Sequence, residues 1–264
     1  MNSTLNVRTC CALALACALP LPTQAAGFVD DASVNLNLRN FFINRNFTNP
    51  GNAQGLAQEW TQNFILDAKS GFTQGTVGFG VDALGLYSIK LDGGKGSGGT
   101  QLLPVGSDGR PADEFGRLAV AGKMKIGKTV LKVGEWMPVL PILRSDDGRS
   151  LPQTFEGAQV TSQDIDGLSL YGGQFRKNSP RNDSSMEDMF MQGNAAVTSD
   201  RFNFVGGEYT FNEKRTLIGL WNAELKDIYQ QQYLQVTHSQ PLGDWTLGAN
   251  LGYFRGSEDG SAKA

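Results

Sequence analysis

Apolar and polar residues alternate along residues 76–91 of the chain. The odd-numbered positions from Val77 to Leu91 hold Val, Phe, Val, Ala, Gly, Tyr, Ile and Leu, whereas the even-numbered positions hold mainly Thr, Gly, Asp, Ser and Lys. Strict alternation predicts a β-strand with two unlike faces. Such a strand occurs in a soluble sheet with one face on a core, and also in a membrane barrel with lipid outside and a wet lumen inside. The rest of the chain decides between them.

The same alternation recurs in about eleven segments, most of them about ten residues long, which is the length that a tilted membrane strand requires. No segment has the period of a convincing amphipathic helix. We therefore predict an all-β protein. The predicted strands are 33–43, 59–69, 76–91, 115–126, 129–137, 154–162, 167–176, 201–211, 216–226, 229–239 and 245–255.

The connections between these strands alternate in length. Short connections at one end and long polar ones at the other are typical of a bacterial outer-membrane barrel, whereas a lipocalin-like soluble barrel lacks this asymmetry. Aromatic residues lie near many strand ends, among them Trp60, Trp136 and Trp245, as in the interfacial girdles of membrane barrels. Together these features favour a transmembrane β-barrel. The short turns are 70–74, 126–129, 163–167, 211–215 and 240–244, and the long loops are 44–58, 92–114, 138–153 and 177–200, with 227–228 as one short link on the long-loop side.

The first 25 residues have the features of a secretory signal peptide. Arg8 precedes a short apolar stretch at 10–21, and a small-x-small sequence places the cleavage site after Ala25, with Ala26 as the alternative. The apolar stretch is too short to cross a bilayer as a helix. All three cysteines lie inside this segment, which excludes a disulfide framework and a thiolate metal site from the mature chain. The chain is therefore expected to be exported.

Composition and motifs give little support for nucleic-acid binding or catalysis. The chain has 23 Lys and Arg against 26 Asp and Glu, a mildly acidic balance that does not indicate nucleic acid as a partner. His238 is the only histidine, and it shares its strand parity with Leu234 and Val236, which favours an interfacial or lipid-side position over a catalytic one. No G-x-S-x-G or paired-histidine motif occurs, and the glycine-rich run 92–100 lacks the P-loop spacing. We expect no catalytic residue, no metal and no cofactor.

Segment 70–85, SGFTQGTVGFGVDALG, resembles the segment after the first periplasmic turn in the OprD family of outer-membrane carboxylate channels. Four further segments resemble that family in order and spacing, so the resemblance covers nearly the whole mature chain. They are LNLRNFFINR at 36–45, KIGKTVLKVGEWMPVLPIL at 125–143, RSLPQTFEGAQV at 149–160 and NAELKDIYQQQYL at 222–234.

The resemblance implies an antiparallel transmembrane β-barrel of the porin class, with about eighteen strands when complete, in the outer membrane of a Gram-negative bacterium. Residues 255–264 have the composition of a further loop, and about eleven strands is an odd number, whereas single-chain bacterial barrels have even numbers. We therefore interpret 26–264 as the N-terminal portion of such a barrel. The implied partners are small carboxylate solutes, outer-membrane lipid and lipopolysaccharide, without nucleic acid, and the implied state is a monomer or a weak trimer.

The alternation also identifies basic residues suited to a pore wall. Fixed cations in a narrow lumen bind carboxylates favourably but weakly enough that they leave again, and Arg holds a carboxylate through two parallel hydrogen bonds. Five basic residues lie on the polar parity of predicted strands, opposite apolar neighbours. These pore-lining candidates are Arg39, Arg117, Lys123, Lys125 and Lys132.

Further candidates come from the resemblance. It implies a row of basic residues along one wall, and a third loop that folds inward and narrows the lumen, with basic groups opposite acidic and hydroxyl groups. On this basis Arg45 and Arg149 match basic wall residues, and Tyr229 resembles a hydroxyl near the constriction. Asp146 and Asp147 lie in the same predicted loop as Arg149 and are candidates for its acidic side.

The expected function is passive, substrate-selective uptake of small carboxylates, without cofactor or chemistry. Two alternatives stay open. An outer-membrane barrel hydrolase requires His238 to be indispensable, and an adhesive surface barrel uses long loops such as 92–114 as its working parts. The sequence also leaves open whether the solutes are amino acids, aromatic acids or other organic acids.

Overall fold

The structure is a computed structural model that describes residues 27–191 and 194–260. The predicted signal peptide at 1–25 lies outside the described residues. All regular elements in the described ranges are β-strands, and no helix there is long and apolar enough to cross a membrane. The strands are β1 (Ser33–Asn46), β2 (Leu56–Lys69), β3 (Val77–Asp92), β4 (Glu114–Ile126), β5 (Thr129–Trp136), β6 (Val139–Leu140), β7 (Leu143–Arg144), β8 (Thr154–Ser162), β9 (Leu168–Ser179), β10 (Met189–Met191), β11 (Asn194–Ser199), β12 (Phe202–Phe211), β13 (Thr216–Leu225), β14 (Tyr229–Leu242) and β15 (Trp245–Glu258).

Eleven of these strands form one antiparallel sheet, in the order in which they follow along the chain. Its edges are β1 and β15, and β5, β8, β9 and β12 are successive neighbours within it. The other four strands form two short hairpins, β6–β7 and β10–β11, inside the connections after β5 and β9. The predicted all-β antiparallel fold with about eleven strands is confirmed. The two hairpins were not predicted, because strands this short carry no readable alternation.

Short turns such as 127–128 and 243–244 lie at one end of the sheet, which we call the turn side, and the long connections lie at the other, the loop side. On the loop side, β1 and β2 extend beyond their predicted bounds. Asn44 Nδ2 donates to Gln58 Oε1 at 2.7 Å, across the extended part of the ladder. Polar side chains continue a backbone ladder as well as apolar ones do, so the apolar alternation marks only part of these strands.

The polarity of the two faces of the sheet is the reverse of that in a soluble protein, because the buried side chains are polar and the exposed ones are apolar. On β2 the side chains of Glu59, Thr61 and Asn63 are fully buried at 0% exposure, and they lie on the face that we call the inner face. On the opposite, outer face, Leu118 is 65% exposed and Leu220 is 62% exposed. A continuous exposed apolar surface behind a buried polar one is typical of a sheet whose outer face meets lipid.

Loops fold onto the inner face and form two apolar clusters there. In one cluster, Leu102 and Leu103 of the loop after β3 pack with Leu86 of β3. In the other, Leu140 of the loop after β5 packs in a cluster that includes Trp221 of β13. The inner face is therefore polar where it borders open space and apolar where a loop covers it. This accounts for the two leucines, Leu84 and Leu86, on the otherwise polar parity of β3.

Gly134 marks the place where β5 separates from β4. Its φ is +132°, and a Cβ there would lie 2.3 Å from the carbonyl oxygen of Val120 and 2.7 Å from the Cα of Ala121. The β4–β5 ladder ends at the Ala121–Gly134 pair, whereas β5 continues to pair with β8. Glycine permits both the backbone conformation and the close approach, and residues 137–153 then turn onto the inner face.

We expect Gly134→Val to reduce the folded fraction strongly, because its side chain would overlap the backbone of β4 and occupy a φ that β-branched residues avoid. The measurement is the fraction of protein that migrates as the compact, heat-modifiable species in an SDS gel. Gly122→Val is the matched control, since a Cβ at Gly122 meets only the Val133 carbonyl, at 4.0 Å. Equal folded fractions for the two variants would contradict this account.

Candidate solute-binding site

Residues 137–153, which we call the inner loop, cross the inner face. On one side, Arg39 of β1 binds Asp147 of the loop. On the other side, Gln231 of β14 donates from Nε2 to the carbonyl of Ile142 at 2.9 Å. β1 and β14 lie far apart in the sheet order. Because the inner loop is attached to both strands, it crosses the space that the inner face of the sheet borders. The third loop therefore folds inward, as the family resemblance implies.

Arg39 holds Asp147 with both terminal nitrogens. Its Nη1 donates to Oδ1 at 2.7 Å and its Nη2 to Oδ2 at 3.1 Å, and Nη1 also donates to the carbonyl of Arg149 at 2.8 Å. The Arg39 side chain is 21% exposed and that of Asp147 is 45% exposed, so solvent reaches the pair. Two parallel N–H···O bonds are also the geometry in which Arg binds a free carboxylate.

Arg149 lies beside two further arginines. Burial lowers the pKa of Arg149, and the positive charges of Arg181 and Arg45 lower it further. Its Nε donates to the carbonyl of Thr100 at 3.1 Å, and its Nη1 donates to the carbonyl of Gly148 at 2.7 Å. Arg149 and Arg181 bind neighbouring residues, Thr100 and Gln101. Together with Arg45, whose charge also lowers the pKa of Arg149, we call them the arginine group. An anion bound there reduces the mutual repulsion.

Asp146 is a counter-charge within this group. It accepts a hydrogen bond from Arg181 and another from the backbone N–H of Gly148 at 2.9 Å. Burial raises the pKa of Asp146, but the Gly148 N–H and Arg181 outweigh burial, and the pKa lies below its usual range. Each predicted acidic residue of the loop therefore binds one arginine, Asp146 with Arg181 and Asp147 with Arg39.

Arg117 lies on the inner face, where the strand alternation placed it, but backbone carbonyls occupy its terminal nitrogens. Its Nη1 donates to the carbonyls of Pro180 at 3.1 Å and Asp183 at 2.6 Å, and its Nη2 donates to the carbonyl of Pro152. Arg117 thus fastens the inner loop to the loop after β9. Its contacts give it a role in holding the loops, and a direct contact with solute stays a prediction.

Lys123 and Lys132 share one carboxylate, that of Asp82 on β3, and we call these three residues the lysine group. Lys123 Nζ lies 2.7 Å from Asp82 Oδ1, and Lys132 Nζ lies 2.6 Å from Oδ2. The three side chains are 11%, 23% and 13% exposed, in the order Lys123, Lys132, Asp82. Two cations on one carboxylate leave one positive charge without a counter-charge, so this group also attracts anions.

Lys125 lies beyond the lysine group, toward the turn side. Its Nζ is 5.5 Å from the centre of the Phe72 ring, and the Nζ of Lys123 is 5.0 Å from the same ring. Both distances suit a cation–π contact. Lys125 is exposed, so the three predicted lysines lie close together near the turn side of the inner face.

The two cationic groups occupy two levels of one wall, formed by β1 to β5 and the inner loop. Asp82 is opposite Lys69 in the ladder, and Lys69 is opposite Ser33. Arg39 lies further along β1 than Ser33, by about 20 Å at the rise of a β-strand. The lysine group therefore lies further toward the turn side than Arg39 does.

Tyr229 lies elsewhere. It begins β14 and packs, partly buried, against the apolar cluster that contains Leu140 and Trp221. Within the described residues, no hydrogen bond joins the Tyr229 side chain to any of the predicted basic residues. A hydroxyl role for Tyr229 at the constriction stays a prediction.

Three charged residues near the inner loop were not predicted from the sequence. Arg181 lies in the loop after β9, outside every predicted strand, so the alternation gave no signal for it. Arg144 lies in the inner loop itself, close to the predicted Asp146. Glu208 shares a strand face with Phe204, and a carboxylate on an otherwise apolar parity was the signal that would have found it.

A sheet whose apolar face is outside and whose inner space holds fixed cations is the wall of a porin-type barrel in an outer membrane. The sequence profile of one family, described as "outer membrane porin, OprD family", matches residues 26–264. The chain belongs to the OprD family. Its members are outer-membrane proteins of Gram-negative bacteria, and porins are channels rather than enzymes.

Known relatives agree with this assignment. The "Porin-like protein GalP" of Pseudomonas putida is 69% identical over 251 residues, which are 95% of this chain and 61% of that protein. The crystal structure of a BenF-like porin from Pseudomonas fluorescens Pf-5 has a TM-score of 0.86 and 75% identity, and the match covers 90% of this chain and 61% of that one. The chain thus spans about three fifths of these relatives' length.

A third relative was crystallised with a solute. It is Pseudomonas aeruginosa OccK2 (OpdF) in complex with glucuronate, with a TM-score of 0.77 and 63% identity over 90% of this chain and 58% of that one. Glucuronate is a small carboxylate that carries several hydroxyls.

Proposed function

We propose that the natural outer-membrane protein containing this sequence is a substrate-selective channel for the passive uptake of small carboxylate-bearing solutes, such as amino acids, aromatic acids or other organic acids. The pairing of Arg39 with Asp147 carries the proposal. A guanidinium that holds a side-chain carboxylate through two parallel bonds can hold a solute carboxylate in the same way. The glucuronate complex of the related OccK2 supports the choice of solute class.

The arrangement suggests how an anion passes from the loop side to the turn side. A solute carboxylate first meets the arginine group, where it relieves repulsion between like charges. It then exchanges with Asp147 at Arg39, and the lysine group receives it further along the wall. Guanidinium and ammonium groups in a confined lumen attract anions more strongly than the same groups in bulk water do.

Acidic side chains keep this attraction moderate. Asp146, Asp147 and Asp82 bind the same cations that a solute would bind. A channel needs binding that is weak enough for release, and carboxylates that compete for Arg39, Arg181 and the two lysines of the lysine group meet that need. The proposed transport requires no cofactor and no covalent step. In this proposal lipid and lipopolysaccharide surround the outer face, and the monomeric or weakly trimeric state stays a prediction.

The alternative of a barrel hydrolase gains no support from the placement of His238. Its Nδ1 lies 2.9 Å from Thr216 Oγ1, and the two residues are opposite each other in the β13–β14 ladder. They share the outer face with Leu220, away from the inner loop. A base on the outer face of the sheet does not meet a solute in the lumen.

The proposal is tested with two solutes of nearly equal size, benzoate and its neutral analogue benzamide. In liposomes that contain the natural protein, we expect benzoate to enter more than about tenfold faster than benzamide at low salt, since a charged hydrogen-bonding pair contributes at least about 1.4 kcal/mol. The difference should decrease as salt rises from about 0.01 M to 1 M, because the screening length falls from about 30 Å to 3 Å. Equal rates at low salt would show that the fixed cations do not select carboxylates.

A further inference from the structure

A cavity of about 470 Å³ lies between the β6–β7 hairpin of the inner loop and the wall formed by β9, β12, β13 and β14. Its lining, within the described residues, contains no member of the arginine group, which lies on β1, the inner loop and the loop after β9, and none of the lysine group on β3 to β5. We call this cavity the hairpin pocket. The residues that matter for its chemistry are Arg144, Tyr171, Glu208, Trp221, Tyr233 and Gln235.

The two charged residues of the hairpin pocket do not neutralise each other. Among the described residues, neither Arg144 nor Glu208 takes part in an ion pair. Glu208 Oε2 accepts one hydrogen bond, from the hydroxyl of Tyr171, at 3.4 Å, which is long for a hydroxyl donor. The carboxylate of Glu208 therefore has acceptor capacity that its neighbours do not use.

A buried donor lies beside this acceptor. Trp221 Nε1 is buried and has no acceptor within the described part of the chain. The indole lies against Gly206, where a Cβ would come within 2.2 Å of it, and is paired with the Tyr171 ring at a centroid distance of 4.8 Å. A Cβ at Gly219 would lie 3.4 Å from both Trp221 Nε1 and Glu208 Cγ. The Trp221 N–H, which is unpaired among the described residues, and the side chain of Glu208, whose carboxylate can accept further hydrogen bonds, thus border one small space above Gly219.

We propose that the hairpin pocket is a second subsite, which takes the hydroxyl-bearing ring of a carboxylate solute. This rests on the proposed carboxylate channel, because a solute drawn in by the fixed cations of the wall passes this pocket. The pocket's own cation, Arg144, receives the carboxylate while the ring occupies the pocket. A hydroxyl donates to Glu208 and accepts from the Trp221 N–H at the same time. The rings of Tyr171 and Tyr233 offer faces for the solute ring.

The charge of the hairpin pocket favours a hydroxyl over an ammonium group. Arg144 and Glu208 give the pocket one positive and one negative charge, so it has no net attraction for a cation. Once a solute carboxylate has paired with Arg144, Glu208 disfavours a second carboxylate. A site whose polar groups need hydrogen bonds rejects an analogue that lacks the hydroxyl, because those groups are then left unpaired. The pocket therefore distinguishes carboxylates that carry a hydroxyl from those that do not. The fixed cations separately distinguish carboxylates from neutral solutes.

The test compares 4-hydroxybenzoate with benzoate, which differ by one hydroxyl. In liposomes with the natural protein, unlabelled 4-hydroxybenzoate should halve the uptake of labelled benzoate at a concentration about fivefold lower than unlabelled benzoate requires. The hydroxyl exchanges its bonds to water for those in the pocket, and a net contribution of about 1 kcal/mol corresponds to about fivefold. Glu208→Leu should bring the two concentrations together. Glu208→Gln should keep most of the difference, because an amide carbonyl also accepts a hydrogen bond. Glu213→Leu, in a short turn, is the matched control and should leave the fivefold difference intact.

A second variant tests the subsite in case Glu208→Leu does not fold. Gly219→Ala places a methyl group between the donor and the acceptor at ordinary contact distance, so the barrel should fold while the hydroxyl preference falls. Equal competition by the two acids in the natural protein would overturn the subsite, and so would an unchanged preference in both Glu208→Leu and Gly219→Ala. Tighter competition by 4-(aminomethyl)benzoate that Glu208→Gln abolishes would assign an ammonium site and also overturn it. The benzoate-over-benzamide preference, measured in the same liposomes, reports separately on the proposed function.

Discussion

Replacing Arg39 by Gln should reduce the preference for benzoate over benzamide by about tenfold, which corresponds to about 1.4 kcal/mol. The variant removes both N–H donors that hold a carboxylate in parallel, and hydrogen bonds to charged groups contribute about 1.5–3 kcal/mol each in a protein interior. The site is partly open to water, which moves the expected effect to the lower end of that range. The measurement is the ratio of the two uptake rates in liposomes at low salt.

Two comparisons make this result specific. Arg215→Gln removes the same charge from a short turn, where the guanidinium pairs with Glu213, and should leave the ratio unchanged. Asp147→Asn should act in the opposite direction to Arg39→Gln, because it removes the internal competitor from the guanidinium. If Arg39→Gln and Arg215→Gln give the same ratio, Arg39 does not select carboxylates.

The second large effect is expected from Arg117→Met. Methionine fills similar space but donates no hydrogen bond, so the three carbonyls that Arg117 binds lose a charged donor. Each lost bond removes about 1.5–3 kcal/mol of the free energy that holds the loops together. The inner loop and the loop after β9 should therefore separate part of the time. Trypsin should then cleave at Arg149 or Arg181 several-fold faster in intact vesicles, and single-channel currents should fluctuate more.

The control for this variant is Arg110→Met. Arg110 lies in the loop after β3, and its side chain is 69% exposed beside Asp108, so its loss should leave both loops in place. Trypsin cleavage at the same rate in Arg117→Met and Arg110→Met would show that the Arg117 hydrogen bonds do not hold the loops together.

The alternation along the chain predicts the eleven long strands and the face on which each side chain lies. Lys123 and Lys132 are on the inner face because the period of a strand is two, and no tertiary information is needed to place them there. Their shared partner Asp82 depends on the register between β3, β4 and β5, which one sequence does not reveal. The alternation therefore locates the wall but not the pairing of charges upon it.

The same limit explains why Arg117 and Arg39 look alike in the sequence but differ in the structure. Both lie on the polar parity of a strand. The donors of Arg117 go to carbonyls of loops 35 to 66 residues away, whereas Arg39 meets a carboxylate 108 residues away. Loops carry no period, so neither these contacts nor Arg181 has a signal in the strand pattern. Arg45 and Arg149 were identified through the family resemblance.

The sheet order, which follows the chain order, has a consequence for how the protein assembles. Each long strand pairs with its predecessor in the sheet, so the barrel wall consists of hairpins whose contacts are local and close quickly. The cation site depends instead on contacts of large sequence separation, such as the 108 residues between Arg39 and Asp147. The wall is thus expected to form first, and solute selectivity should appear only in the last, slower phase of folding.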